Sequence, residues 1–93
     1  MIKVLGRDLW REGTKIGSVA DGHITDHLGE RVGTYTTDEI RDKTGRKVAH
    51  ISGDYIFFLD SSRKIRIEDN NNDVVGGSLS NIQKAAARVL LGE

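Results

Sequence analysis

A turn signal recurs along this chain every sixteen residues. Gly13, Gly29 and Gly45 are spaced by 16, and Ser61-Ser62 stands where the next would fall. Three residues after each glycine comes an apolar one: Ile16, Val32, Val48. A small residue follows at once (Gly17, Gly33, Ala49), and Val19, Tyr35 and Ile51 come two further on. A repeat of this kind is one supersecondary unit used several times, each copy burying its apolar face against its neighbours. It constrains architecture closely and chemistry hardly at all.

A second set of turn signals lies between the first: Asp21-Gly22, Thr37-Asp38, Gly53-Asp54 and the run Asp69-Asn70-Asn71-Asn72-Asp73. Together they predict a reversal about every eight residues, the spacing of an all-β meander. The segments between them alternate apolar with polar or small residues, as half-buried strands do: Ile24-Thr25-Asp26, Val32-Gly33-Thr34-Tyr35, Val48-Ala49-His50-Ile51, Ile65-Arg66-Ile67. Tyr55-Ile56-Phe57-Phe58-Leu59 is continuously apolar and reads as the most buried strand. With no proline in the chain, the turns fall to Gly, Asp, Asn, Ser and Thr. Asp26-His27-Leu28-Gly29 and Asp42-Lys43-Thr44-Gly45 share the form Asp-x-x-Gly. The aspartate can bond back to the turn backbone, and the glycine accepts the positive φ of a type I turn with a glycine bulge. Glu12-Gly13 and Asp60-Ser61-Ser62-Arg63 are degenerate versions, and in the last Ile65 stands where the period predicts 64.

The expected fold is therefore mainly β: an antiparallel meander of about four repeated hairpins, near 5–19, 22–35, 38–51 and 54–67, plus one C-terminal α-helix, in a single domain. The small residues Gly17 and Gly33 would let backbones approach closely at a crowded centre. Whether the hairpins close into a ring or stay an open sheet is not set by the pattern. After the extended piece Val74-Val75 and the break Gly76-Gly77, residues 79–91 read as the helix, with Ser78 as N-cap and Gly92 as stop. Its apolar stripe is Leu79, Ile82, Ala86, Val89 and Leu90. That stripe either covers one end of the β unit or meets another copy of the chain.

The unit Ile40-Arg41-Asp42-Lys43-Thr44-Gly45-Arg46-Lys47-Val48-Ala49-His50-Ile51 resembles the repeat of the four-fold β-flower type of small bacterial domain. Ile24-Thr25-Asp26-His27-Leu28-Gly29-Glu30-Arg31-Val32-Gly33-Thr34-Tyr35 is similar, with Gly33 in the small position. The resemblance covers residues 5–70 and leaves the helix outside. It implies four hairpins about a pseudo-four-fold axis. It brings no activity and no functional residues.

Composition narrows the function classes. The 93 residues are 37% hydrophobic and 30% charged, a globular profile with a small core. Fourteen basic side chains balance fourteen acidic ones, so no global charge draws the chain to nucleic acid or membrane. There is no cysteine, hence no disulfide, thiolate nucleophile or cysteine zinc site. The first residues are too short an apolar run for a signal peptide, and the expected location is the cytoplasm.

Candidate chemistry is thin. His23 and His27 are four apart, but in a hairpin, where that spacing does not converge two ligands. Asp69, Asn71 and Asp73 alternate as in a calcium loop, yet Val74 and Ser80 stand where glycine and glutamate are needed. Neither a Gly-x-Ser-x-Gly elbow nor a phosphate loop is present. No enzyme, cofactor or metal is expected. Trp10, Tyr35, Tyr55, Phe57 and Phe58 are read as core packing, Trp10 becoming a contact candidate if exposed.

An acid precedes each main turn and a base follows it. Lys15, Arg31, Arg46, Lys47, Arg63 and Lys64 would then form a basic rim, densest at Arg41, Lys43, Arg46 and Lys47. The plain reading is cross-strand ion pairs at the turns. The sharper reading is an anion-binding rim. The expected role is thus a non-catalytic structural or protein-interaction module, self-associating through the helix stripe. A binding module for nucleic acid or another anion on the basic rim is the alternative, and no membrane partner is expected.

Overall fold

The computed structural model describes residues 1–92. The strands are β1 (Ile2–Leu5), β2 (Asp8–Arg11), β3 (Thr14–Ala20), β4 (His23–Asp26), β5 (Arg31–Tyr35), β6 (Glu39–Asp42), β7 (Lys47–Ser52), β8 (Tyr55–Phe58), β9 (Lys64–Arg66) and β10 (Val74–Val75). Helix α1 (Ile67–Asp73) joins β9 to β10, and helix α2 (Asn81–Leu91) ends the chain. The protein is mainly β, and the strands form one sheet in the order β10-β1-β2-β3-β4-β5-β6-β7-β8-β9. All pairs are antiparallel except β1 with β10, where Ile2 pairs with Val74 and Lys3 with Val75.

The sixteen-residue period is the hairpin. β2–β3, β4–β5, β6–β7 and β8–β9 are the four units, and each is closed at its open end by one further backbone bond. Val19 N–H donates to Arg7, Tyr35 to Gly22, Ile51 to Asp38 and Ile67 to Asp54, at 2.8, 3.0, 2.8 and 2.8 Å. In the first three units the register slips by one residue, between Leu9 and Trp10, Ile24 and Thr25, and Ile40 and Arg41. The extra residues are the repeated Ile16, Val32 and Val48. The fourth unit pairs Ile56 with Ile65 and Phe57 with Lys64 without a slip, so Ile65 takes the place of Gly17, Gly33 and Ala49, and Lys64 that of the extra residue.

The turn chemistry follows the Asp-x-x-Gly pattern. Gly29 and Gly45 have φ of 82° and 88°, and their N–H groups donate to Asp26 and Asp42 carbonyls at 3.1 and 3.0 Å. Each aspartate carboxylate also accepts from the backbone N–H two and four residues on: Leu28 and Glu30, Thr44 and Arg46. At Glu12-Gly13 both residues take positive φ, the form a two-residue hairpin turn needs.

The sheet curls into a ring. Ten strands laid flat at ~4.8 Å spacing would be about 43 Å wide, whereas the longest extent of the molecule is 32 Å. Its two edge strands, β9 and β10, are joined by the seven residues of α1, a helix that spans roughly 10 Å. One inward residue from the first strand of each unit, Leu9, Ile24, Ile40 and Ile56, is fully shielded from solvent. Each such burial stabilises by about 1.5–3 kcal/mol.

Helix α2 packs against the inner face of the curl. Ala85, Ala86 and Ala87 are all fully buried, so consecutive residues face protein on several sides. Only a small side chain fits such a helix into so narrow a space. The helix packs on β3, β4, β5 and β6 and on α1. Its last turn meets the small positions of the repeat: a Cβ on Gly33 would lie 2.6 Å from Leu90 Cδ1 and 2.4 Å from the Arg41 carbonyl. A Cβ on Gly17 would lie 2.9 Å from Leu91 Cδ1 and 2.2 Å from the Thr25 carbonyl. The close approach expected at Gly17 and Gly33 is thus between adjacent strands and the helix end.

Three sequence expectations are corrected. The Asp69–Asp73 run is not a turn but part of helix α1. Its acidic first turn (Glu68, Asp69) suits a helix start, and its asparagines are drawn into contacts with α2. Asn70 is fully buried with Oδ1 3.4 Å from Arg88, and Asn71 Nδ2 donates to Asn81 at 3.0 Å. Helix α2 starts at Asn81, not residue 79, and Ser80 rather than Ser78 is the N-cap. Ser80 Oγ accepts from Gln83 N–H at 3.3 Å while Gln83 Oε1 accepts from Ser80 N–H at 2.9 Å, a full capping box. Finally, 55–59 is not the most buried strand. In β8 only Ile56 is fully buried, and Leu59 lies beyond the strand with 45% of its surface exposed.

Candidate functional site

Strand alternation sorts β6–β9 into an inner and an outer face. Ile40, Ala49 and Ile56 are fully buried inside, and Ile51, Phe58 and Ile65 pack against them. The residues between point out. The register lines them up in rows across the strands: Glu39, His50, Phe57 and Lys64 in one, Ser52, Tyr55 and Arg66 in the next, with Arg41 beside Lys47.

The outer rows hold a cluster of rings and cations. His50 stacks on Phe57 with centroids 5.2 Å apart and planes 19° from parallel. Tyr55 stands 6.2 Å from Phe57 at 48°. Lys64 Nζ lies 4.5 Å from the centre of Tyr55 and 5.9 Å from that of Phe57, within cation–π range. All three rings are half-buried, while Lys64 and Arg66 are exposed. Tyr55 and Phe57 are therefore surface residues, against the expectation that they pack the core. Tyr35 and Phe58 do pack against it, and the Tyr35 hydroxyl donates to the Ala20 carbonyl at 2.7 Å and accepts from Gln83 at 2.9 Å. Trp10 is half-buried and lies outside the core cluster. The sequence held the signal for the outer cluster: in 55–59 the period-2 rule puts Tyr55 and Phe57 opposite Ile56 and Phe58, even inside an apolar run.

The residues of the predicted basic rim flank the turns of the four units but differ in their settings. Lys47 and Lys64 stand on the outer face of β6–β9. Lys15, on β3, is paired with Asp8 at 3.3 Å. Arg31 and Arg46 are exposed at hairpin ends. Arg63 lies 4.9 Å over Phe58 at the fourth turn. The ion pairs expected within the turns are replaced by others on the outer face, where Glu39 meets Arg41 at 3.1 Å and Lys47 at 3.5 Å. Asp26 and Asp42 instead hold their turn backbones. At Asp42 the Thr44 hydroxyl, then the Thr44 and Arg46 N–H groups and the Arg46 charge, keep the carboxyl below the usual carboxylate range.

The predicted helix stripe faces its own sheet. Ala86 is fully buried, and Leu79, Ile82, Val89 and Leu90 are partly buried against the core. Val89 and Leu90 also line a cleft of about 710 Å³ at the hairpin-turn end, with Asp42, Lys43, Arg63 and Arg88. That cleft brings one rim residue, Arg63, next to the end of the stripe. Its walls carry both signs of charge. Arg88 reaches Asp73 at 3.1 Å as well as Asn70.

Among the described residues, no three His, Asp or Glu side chains gather as a metal site, and no helix is long and apolar enough to cross a membrane. His23 is half-buried in β4 and His27 is exposed in the next turn. Compared with family models, curated proteins and solved structures, the chain finds no match.

Proposed function

We propose that this chain is a non-catalytic binding module that engages a partner through the outer face of β6–β9. The observation that supports it is the placement of His50, Tyr55 and Phe57. In a chain with 5% aromatic residues, these rings lie outside the core and stack together beside Lys64. Large rings on a rigid face are the side chains that concentrate binding energy in interfaces. Behind them Ala49 and Ile56 are fully buried and Ile51, Phe58 and Ile65 pack against the core, so the face stands on packed side chains. The helix stripe has a use inside the molecule already, which leaves the sheet's outer face as the larger feature without an internal role.

The test is amide shift mapping of the labelled protein against three probes: an oligonucleotide, an acidic peptide and rising concentrations of the protein itself. The reading expects at least one probe to shift the amides of β7–β9, and the paired change Tyr55→Ala with Phe57→Ala to abolish the response. Shifts confined to α2 or to the turn-end cleft, or no response to any probe, contradict it.

A further inference from the structure

We infer that the outer face of β6–β9 binds single-stranded nucleic acid, with bases on Tyr55 and Phe57 and phosphates on the flanking cations. This rests on the reading above that the face is a binding surface, and names its ligand.

Charge is the first argument. The chain is neutral overall, but the outward positions of β6–β9 are not. Arg41, Lys47, Lys64 and Arg66 stand there with Glu39 as the single carboxylate. The other acids nearby, Asp38, Asp42, Asp54, Asp60 and Glu68, sit at strand ends, turns and the start of α1, with Asp54 and Glu68 lining one hollow with Arg66, and Asp42 is turned onto its own backbone. The face thus carries a local positive excess of the kind that tracks a phosphate backbone.

The position of the rings relative to the cations is the second. The row Glu39, His50, Phe57, Lys64 and the row Ser52, Tyr55, Arg66 each end in a cation on the edge strand β9. On the other side Arg41 and Lys47 form the neighbouring row and share the Glu39 carboxylate. A strand crossing this face meets rings in the middle, the two β9 cations on one flank and the Arg41–Glu39–Lys47 group, with one net positive charge, on the other. Sheet-borne aromatics beside basic residues are a general way of holding unpaired bases, because every base has a face to stack.

Spacing selects single strands. Tyr55 and Phe57 are 6.2 Å apart, centre to centre. Successive bases of a duplex strand rise only about 3.4 Å and cover each other's faces. Two neighbouring bases reach both rings only when unstacked from one another, as in an extended single strand. Lys64 rests over Tyr55 in the free protein; a ring face that attracts an ammonium is open to a ligand, and an exposed lysine is free to turn to a phosphate.

The experiment is fluorescence anisotropy of a labelled oligothymidine of about ten nucleotides, titrated at low and moderate salt. A duplex of equal length, heparin and an acidic peptide compete. The inference expects the single strand to bind in preference to the duplex. Phe57→Ala and Tyr55→Ala each weaken it about ten-fold or more, the range set by base–aromatic stacking. Lys64→Gln, which cannot disturb the core, lowers the slope of log affinity against log salt by about 0.7, one phosphate contact. Thermal unfolding of each variant checks that the fold persists. Equal binding of duplex and heparin with no effect of either ring would show plain polyanion attraction and overturn the inference. Failure of the oligonucleotide alongside ring-dependent binding of the peptide would overturn it too, while leaving the outer face as a binding surface. Absence of binding by every probe would sink both.

Discussion

Asp42 shows how one side chain fixes a repeat unit. Its carboxylate accepts from Thr44 and Arg46 N–H at 2.9 and 3.2 Å, and from the Thr44 hydroxyl. These bonds favour the charged form, so the carboxyl titrates below its usual range. The sign is that of a depressed acid: its contribution to the turn is complete above the ordinary carboxylate pKa and is lost as pH falls through the lowered folded value. Amide exchange at Thr44 and Arg46 should therefore stay protected through mildly acidic pH and rise only at stronger acid. Asp42→Ala should remove that pH dependence, and a rise already at neutral pH in the wild type would contradict the assignment. The inward residues make a second residue-scale prediction. Leu9, Ile24, Ile40 and Ile56 are equivalent and fully buried, so Ile40→Ala and Ile56→Ala should each cost about 2–5 kcal/mol. Urea midpoints with unchanged m values check this. A far smaller loss at Ile56 would mean that the fourth unit is not part of one core. Much of this scale was legible beforehand, because Asp-x-x-Gly and the inward isoleucines repeat in the sequence. Tyr55 and Phe57 were misread because an apolar run hides its own alternation.

At the scale of elements, the hairpins were readable from period alone and the helices less so. The four units fall where the glycine spacing puts them, since turn chemistry is local. The missing slip in the fourth unit goes with Lys64, a polar residue where the other units have Ile16, Val32 and Val48. Helix α1 was not readable: an asparagine-rich run favours turns, and it is helical here because Arg88 and Asn81 of α2 meet Asn70, Asp73 and Asn71. Those partners are distant in sequence, so local pattern has no access to them. In α2 the stripe residues Ile82, Ala86, Val89 and Leu90 lie against the core while Leu79 precedes the helix, and the cap falls on Ser80 because, of two serines before an apolar run, only Ser80 has glutamine three residues on. Ser80→Ala should cost about 1 kcal/mol, whereas Ser78→Ala should leave the thermal midpoint nearly unchanged. Gly33→Val should be more severe, since its added atoms would meet the Arg41 carbonyl and Leu90 together. An overpacked site of this sort loses roughly 1–3 kcal/mol, and a stable Gly33→Val variant would place the helix end elsewhere.

The whole molecule is a curled sheet whose two edges are tied by one short helix and whose inner face is packed by another. Exposed sheet edges invite pairing with other chains; here one edge strand has three residues and the other two, with α1 running between them. Closure could not be read from the repeat, because a meander of hairpins is equally consistent with an open sheet until the path after β9 is known. Val74, fully buried in β10, is the residue on which closure depends. Val74→Asp should release β10 from β1 and strip exchange protection from Ile2 and Val4 before β4–β7, with a loss of several kcal/mol for the unpaired buried charge. Uniform loss of protection across all strands would instead show that the ring opens only as the whole domain unfolds.

The account rests most on α2 lying against the inner face of its own curl, which removes the helix stripe from contact with other molecules. The most direct measurement is an isotope-filtered NOE spectrum on an equal mixture of labelled and unlabelled chains. Contacts between the Leu90 methyls and Gly33 Hα should appear within single chains and be independent of concentration. The same contacts found only between labelled and unlabelled chains, or no contact at all, would contradict the account and put the helix in another copy or in solvent.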